Sequence, residues 1–337
     1  MKFTRLGKTG LEVSRICFGC MSFGVPDEKR PWILQDDEAR PLFRKALELG
    51  INFIDTANIY ADGTSEELTG RMLKEMAKRD EIVLATKVYN RMRPGPNGMG
   101  LGRKAIMTEI DHSLRRLGTD YVDLYQIHRW DYETPLEETL EALNEVVKAG
   151  KARFIGASSM FAWQFAKALF TADLHGWSRF ASMQSEISLV MREEEREMMG
   201  LCRDQGIGLI PWSPLGAGQL TRPWGQVTKR SQTDRFNKTM YENNDGGSRE
   251  VVAAVEAVAE AHGVPMAQVA MAWLLHKDGI TSPIIGATRV SHIEDAVAAV
   301  ALSLSPEEIA HLEAPYQPRP VPSYLLPNTP DRISRRP

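Results

Sequence analysis

Residues 51–60 read Ile51-Asn-Phe-Ile-Asp-Thr-Ala-Asn-Ile-Tyr60. The stretch begins as a buried β-strand, yet an aspartate follows the apolar run at once and a tyrosine comes five residues later. The same plan recurs along the chain: a short apolar run, turn residues, then a helical stretch of about ten to fifteen residues. Eight such runs centre on Ile16 to Gly19, Ile51 to Ile54, Ile82 to Ala85, Val122 to Ile127, Arg153 to Gly156, Ser182 to Gln184, Gly208 to Pro211 and Ile284 to Gly286. Nearly continuous apolar strands imply a parallel sheet covered on both faces, and closing it gives an α/β (β/α)8 TIM barrel.

Helix signals between the runs fit this plan. Thr134-Pro135-Leu136-Glu137 reads as a capping box with proline at the first helical position, and Gly150 reads as the terminator of that helix. Ser291-x-x-Glu294 and Ser305-Pro306-Glu307-Glu308 read as further helix starts. Before the first run, Phe3 to Gly10 and Leu11 to Ser14 form a predicted β-hairpin, so residues 1–14 precede a single barrel domain that extends to 314. The Gly-Lys-Thr of that turn is not a phosphate loop, because Lys2 stands where the first glycine would be required. Residues from about Gly216 to Gly247 lack helical periodicity and suit a long loop on the C-terminal face. Residues 315–337 carry seven prolines and form a predicted irregular arm.

Composition excludes several function classes. With 337 residues, 43% hydrophobic and 25% charged, the chain can bury a large core, and a net charge of −3 gives no basic stripe for nucleic acid. No signal-peptide core opens the sequence and no run approaches the roughly 18 apolar residues of a membrane helix, so a cytoplasmic protein without a membrane partner is expected. Cys17 and Cys20 have redox-motif spacing, but a strand points positions three apart to opposite faces, and core thiols are the expectation. The seven histidines are scattered, with no His-x-His pair after the first run, so no metal is required.

In such a barrel, chemistry gathers at the C-terminal ends of the strands. Asp55 follows the second run, Lys87 the third and His128 the fourth, with Tyr60 in the loop beyond Asp55. Lys87 near Tyr60 would favour the phenolate and lower its pKa, while Asp55 would hold the lysine charged. Tyr60 could then act as general acid toward a carbonyl oxygen, with His128 orienting that carbonyl.

Gly50-x-x-Phe53-Ile-Asp55-Thr-Ala-x-x-Tyr60, continued by Gly63-x-Ser65-Glu66-x-x-x-Gly70, resembles the signature of the aldo-keto reductases. The likeness extends through Lys87 after VLAT, DLYQIH ending in His128, GKARFIGASS, Gln184, IPWSPLGAGQL and SPIIGATRVSHIEDAVAA. It is nearest to the branch containing aryl-alcohol dehydrogenase-like reductases and potassium-channel β-subunits. The resemblance implies NAD(P)H-dependent carbonyl reduction with Asp55, Tyr60, Lys87 and His128 as the catalytic tetrad.

It also implies a cofactor site. Ser158, Ser159 and Gln184 would bond the nicotinamide amide, Trp212 would stack on the nicotinamide ring, and Ser213, Leu215, Gly216 and Gly218 would line the pyrophosphate. Glu294 and Asp295 match positions near the adenine. No G-x-G-x-x-G opens a helix after the first strand, so a Rossmann site is not supported. Barrels instead bind phosphate at the loops after strands seven and eight. There Gly286 and Ala287 permit close approach and Arg289 suits a 2′-phosphate, favouring NADPH.

Candidate walls for the small-molecule aldehyde or ketone are Met21, Phe23, Tyr89, Arg129 and Trp130, with Tyr132 nearby. Their apolar and aromatic character suits aryl or medium-chain aldehydes; Arg129 reads equally as a contact for an acidic group or as a surface ion-pair partner. A rival reading keeps the same residues but makes the chain an NADPH-binding regulatory subunit with slow catalysis. The oligomeric state is open.

Overall fold

The computed structural model describes residues 1–226, 228, 233–234, 248–322 and 324. Most of the long segment expected from Gly216 to Gly247, and most of the arm beyond 322, therefore lie outside the described residues. The hairpin pairs β1 (Phe3–Arg5) with β2 (Glu12–Ser14), Phe3 opposite Ser14. Its turn is fixed at Gly7, whose φ is +57° and where a Cβ would fall 2.4 Å from the Gly206 carbonyl oxygen. Only glycine allows that approach.

All eight apolar runs become parallel strands: β3 (Cys17–Gly19), β4 (Phe53–Asp55), β5 (Val83–Val88), β6 (Val122–Ile127), β7 (Ala152–Ser158), β8 (Phe180–Gln184), β9 (Gly208–Leu209) and β10 (Ile284–Gly286). Their spatial order is β10-β3-β4-β5-β6-β7-β8-β9. The sheet curls until its two edges meet, because Thr281 donates its backbone N–H to the Leu209 carbonyl at 2.8 Å and Ile284 donates to that of Pro211 at 2.7 Å. Around it lie α1 (Asp36–Glu48), α2 (Thr64–Met76), α3 (Arg103–Leu117), α4 (Leu136–Lys148), α5 (Ala162–His175), α6 (Met198–Gln205), α7 (Ser248–His262), α8 (Met266–His276), α9 (Val290–Ala298) and α10 (Pro306–Glu313).

Strand alternation sorts the apolar side chains into two compartments. Cys17, Phe53, Val83, Leu124 and Ile284 fill the inside of the curl, where Leu6 and Val13 of the hairpin segment join them. Their neighbours Ile54, Leu84 and Tyr125 face outward and pack with helix residues such as Leu68, Ile106 and Leu140. Cys17 and Cys20 fall in different compartments, both buried and free. Burial pushes the Cys20 thiol up to about 12 and that of Cys17 well above the ordinary range, so both behave as core groups.

Two helix starts differ from expectation. Thr134 does not cap α4: Pro135 is the N-cap, and the Thr134 hydroxyl donates to Asp131 at 2.8 Å. Ser291 lies within α9, which is capped by Arg289. In both cases a better local partner or an earlier helical turn overrides the sequence signal. The box at Ser305 forms, with Glu308 N–H donating to the serine at 3.2 Å and the Ser305 N–H donating to the Glu308 carboxylate at 2.7 Å. The described part of the proline-rich arm docks on the loop after β8: Tyr316 OH and Arg319 N–H both donate to Glu193 Oε1, at 2.7 and 2.9 Å, and Tyr324 lies edge-on to Phe161.

Helices α2 and α3 meet at Gly70, where a Cβ would sit 2.2 Å from the Leu117 carbonyl oxygen. Gly70→Ala is expected to cost ~1–3 kcal/mol by forcing the helices apart. Urea unfolding checks this; an unchanged midpoint would mean that the helix separation is not fixed there.

Candidate active site

On β4, β5 and β6 the inward face is apolar at its lower end and polar at its upper end. Phe53 is succeeded by Asp55, Val83 and Ala85 by Lys87, and Leu124 by Gln126 and then His128. Register sets their relative heights: Asp55 pairs with Ala85 and Lys87 with Gln126. Lys87 and Gln126 stand level, Asp55 starts one inward position lower, and side-chain hydrogen bonds join the three with Gln184 in one buried cluster above the apolar filling.

Lys87 has no exposed surface, and its three ammonium protons are all used. They go to Asp55 Oδ1, to the Thr56 carbonyl at 2.9 Å and to the Tyr60 hydroxyl at 3.3 Å. The other carboxylate oxygen, Asp55 Oδ2, accepts from Gln126 Nε2 at 2.9 Å and Gln184 Nε2 at 3.0 Å. A buried ion pair persists only when the remaining donors and acceptors are satisfied in this way. Burial opposes the Lys87 ammonium, but the charge of Asp55 and the hydrogen bonds to Asp55 and Tyr60 hold its pKa above the ordinary lysine value.

Tyr60 opens a short 3-10 turn, Tyr60–Gly63, in which Ala61 and Asp62 take φ of 48° and 55°. Left-handed backbone at two successive non-glycine residues is costly and rare. The turn carries the half-buried phenol over Lys87, whose Nζ lies 4.9 Å from the ring centre, and edge-on to His128 at 5.8 Å. The expected lowering of the Tyr60 pKa is not found. Burial pushes the phenol up, and the opposing pull of the Lys87 ammonium offsets only part of that rise. The group stands as a protonated phenol at neutral pH.

His128 is held well below the ordinary histidine pKa, first by burial and then by the charges of Arg129 and Lys87. Its Nδ1 lies 3.0 Å from Asn90 Nδ2. An amide nitrogen can only donate, so Nδ1 accepts, and the neutral ring carries its proton on Nε2. Asn90 and Gln126 join the cluster through their hydrogen bonds to His128 and Asp55 and were not among the positions expected from the sequence. The period of two along β6, which puts Gln126 on the face of His128, was the available signal for one of them; Asn90 has no such signal, since it comes after β5 ends.

The residues expected around a nicotinamide lie beside this cluster. Ser158 donates to the Gln184 carbonyl at 2.8 Å, Ser159 Oγ lies 3.2 Å from Ser158 Oγ, and Trp212 Nε1 donates to Ser159 Oγ at 3.2 Å. Ser213, Leu215, Gly216 and Gly218 follow β9 in a tight turn with φ of 50° at Ser213, 54° at Gly216 and 91° at Gly218. Gly286 ends β10 with an open face, its nearest neighbour 4.0 Å from where a Cβ would stand; Ala287 is buried and Arg289 is exposed at the start of α9. Glu294 and Asp295 lie further along α9, Glu294 3.8 Å from Lys45 and Asp295 accepting from Gln268 at 2.8 Å.

Of the expected substrate walls, Phe23 lies deepest. It is fully buried in an aromatic cluster with Phe18 and Phe43, ring centres 5.5 and 5.2 Å away, and the ring is turned into the core. Arg129 is buried and donates to the His128 carbonyl at 2.8 Å, so it is not a surface ion-pair partner. Tyr89 is buried, while Met21 and Trp130 are partly exposed, Trp130 lying 6.3 Å from Trp163. Among the described residues no helix is long and apolar enough to cross a membrane.

The chain belongs to the aldo/keto reductase family, whose model matches residues 15–317. Members of this family are oxidoreductases built on a (β/α)8 barrel. The chain is 42% identical over 341 residues to versiconal hemiacetal acetate reductase of Aspergillus parasiticus, covering 95% of this chain and 98% of that protein. It is 40% identical to an aldo-keto reductase of Fusarium vanettenii, covering 95% and 92% of the two chains. A protein of Schizosaccharomyces pombe bearing the provisional name aryl-alcohol dehydrogenase is also 40% identical, with coverage of 94% and 96%.

The state of His128 is open to measurement. A histidine whose folded pKa is depressed binds its proton first in the unfolded chain, so its contribution to stability is lost as pH falls through the ordinary histidine range. The imidazole resonances of His128, assigned by loss in His128→Asn, are expected to show no titration step between about pH 8 and 6. A step near the ordinary value would refute the neutral assignment.

Proposed function

We propose that the chain reduces an aldehyde or ketone to an alcohol, with NADPH as reductant and Tyr60 as proton donor. The observation that carries this reading is that Asp55 and Tyr60 meet on the buried Lys87 ammonium while His128 lies edge-on to the Tyr60 ring at 5.8 Å. We take residues 1–314 as one closed (β/α)8 barrel and 315–337 as an arm laid against it.

Bound NADPH would supply the hydride to the carbonyl carbon. Ser158, Ser159, Gln184 and Trp212 would hold the nicotinamide end; Ser213, Leu215, Gly216 and Gly218 would receive the pyrophosphate; Gly286, Ala287 and Arg289 would receive the adenosine phosphate, with Glu294 and Asp295 near the adenine. The open face at Gly286 and the exposed guanidinium at the α9 N-terminus fit a phosphate group. Tyr60, kept protonated by burial, donates its phenolic proton to the carbonyl oxygen. Lys87 stabilises the phenolate left behind, and Asp55 keeps Lys87 charged. Neutral His128, with its proton on Nε2, donates a hydrogen bond that orients the carbonyl. Met21, Tyr89, Arg129 and Trp130 would wall the substrate space, and the rings of Tyr89 and Trp130, with the aryl-alcohol dehydrogenase name of one relative, support aryl carbonyl compounds.

Tyr60→Phe is expected to lower kcat for a substituted benzaldehyde by about 10²–10⁴-fold while NADPH binding is unchanged. Arg289→Ala is expected to weaken NADPH by about tenfold or more and NADH hardly at all, as read by fluorescence titration. Tight NADPH binding without turnover across a broad carbonyl panel would instead favour a cofactor-sensing regulatory role.

A further inference from the structure

The side chains that do the proposed chemistry point inward, but their immediate neighbours point outward and are gripped from behind. Thr56 follows Asp55, and its hydroxyl lies 3.1 Å from Ser65 Oγ. Ser65 spends its own proton on the Cys20 carbonyl at 2.7 Å, so Thr56 is the donor of that pair. Thr86 precedes Lys87, and its hydroxyl donates to Glu66 Oε1 at 2.5 Å. Arg116 of α3 donates Nε to the other oxygen, Glu66 Oε2, at 2.6 Å. Ser65 and Glu66 have no exposed surface. They occupy the first turn of α2, and the segment leading directly into that turn is the strained loop that begins at Tyr60.

One helical turn therefore holds the strand end of Asp55, the strand of Lys87 and the loop of Tyr60. We propose that Glu66, braced by Arg116 and bonded to Thr86, is a positioning residue that sets the Lys87 ammonium against the Tyr60 hydroxyl. Glu66 touches none of the reacting groups. Its carboxylate fixes Thr86, hence the height of the adjacent Lys87 backbone, relative to the turn that carries Tyr60. Two charged or hydroxyl donors on two different elements meet the same buried carboxylate, which makes the spacing of β5, α2 and α3 a single quantity rather than three. The proposal rests on the reading of Tyr60 as proton donor.

The test is Thr86→Val, which keeps the branched shape and removes the donor, with Thr86→Ser as the conservative variant and Glu66→Gln as an independent disruption. Two readouts are taken: steady-state carbonyl reduction, and the titration of the Tyr60 phenol in the cofactor-free protein, isolated as the tyrosinate difference spectrum against Tyr60→Phe in each background. In Thr86→Val and Glu66→Gln, kcat is expected to fall about tenfold or more with KM for the carbonyl within about twofold, since slight misplacement costs rate before affinity. The Tyr60 phenol is expected to titrate higher than in wild type, because it loses part of the pull of Lys87, and Thr86→Ser is expected to restore both readouts. Wild-type kcat and an unmoved phenol titration in folded Thr86→Val and Glu66→Gln, whatever their melting temperatures, would overturn the proposal. A wild-type protein inactive on all carbonyls would sink the reductase reading instead, and the phenol titration would still decide the positioning role.

Discussion

The structure depends on one buried ammonium. Lys87 lies entirely out of water, where an unpaired charge is intolerable, and the surrounding strands are arranged so that it is never unpaired. Asp55 supplies the opposite charge, the Thr56 carbonyl supplies a fixed dipole, and Tyr60 takes the third proton. Gln126 and Gln184, from two further strands, complete the carboxylate. Losing one partner would leave the other charge buried, which typically costs about 3–5 kcal/mol. The register of β4, β5, β6 and β8 is thereby coupled to the satisfaction of a single ion pair, and a slip of one residue in any strand would turn its contribution out of the cluster.

The same low-polarity surroundings set the protonation states of Tyr60 and His128. Burial and charge act in opposite directions on Tyr60, and burial prevails, so the hydroxyl keeps its proton at neutral pH. On His128 burial and neighbouring cations act in the same direction, and the ring is neutral. A charged imidazole could not sit beside Lys87 and Arg129 without large repulsion; a neutral one can still donate a hydrogen bond through Nε2. Two groups with ordinary pKa values on either side of neutrality are driven further apart, so both are neutral around pH 7.

Much of the candidate site was legible in the sequence because strand ends are legible. An apolar run closed by Asp55, another by Lys87 and a third by His128 point to one rim once the strands are parallel. Gln126 was also within reach of the period of two. The direction of Phe23 was not legible, because a residue just after a strand can turn toward the rim or back under it, and its ring packs with Phe18 and Phe43 in the core. The cap at Thr134 failed for a similar reason: the hydroxyl had Asp131 as a second acceptor, and sequence spacing cannot rank two local partners.

By itself, then, the sequence determined the class of fold, the number and order of strands, and which residue types stand at their ends, since all of these follow from periodicity and turn chemistry within short windows. Tertiary structure alone decided the pKa of Tyr60, the tautomer of His128, the burial of Arg129 and the outer grip of Glu66 on Thr86. Each of these depends on how much water is excluded and on which groups from distant segments face one another. Those quantities arise only when the sheet curls and the helices close over it.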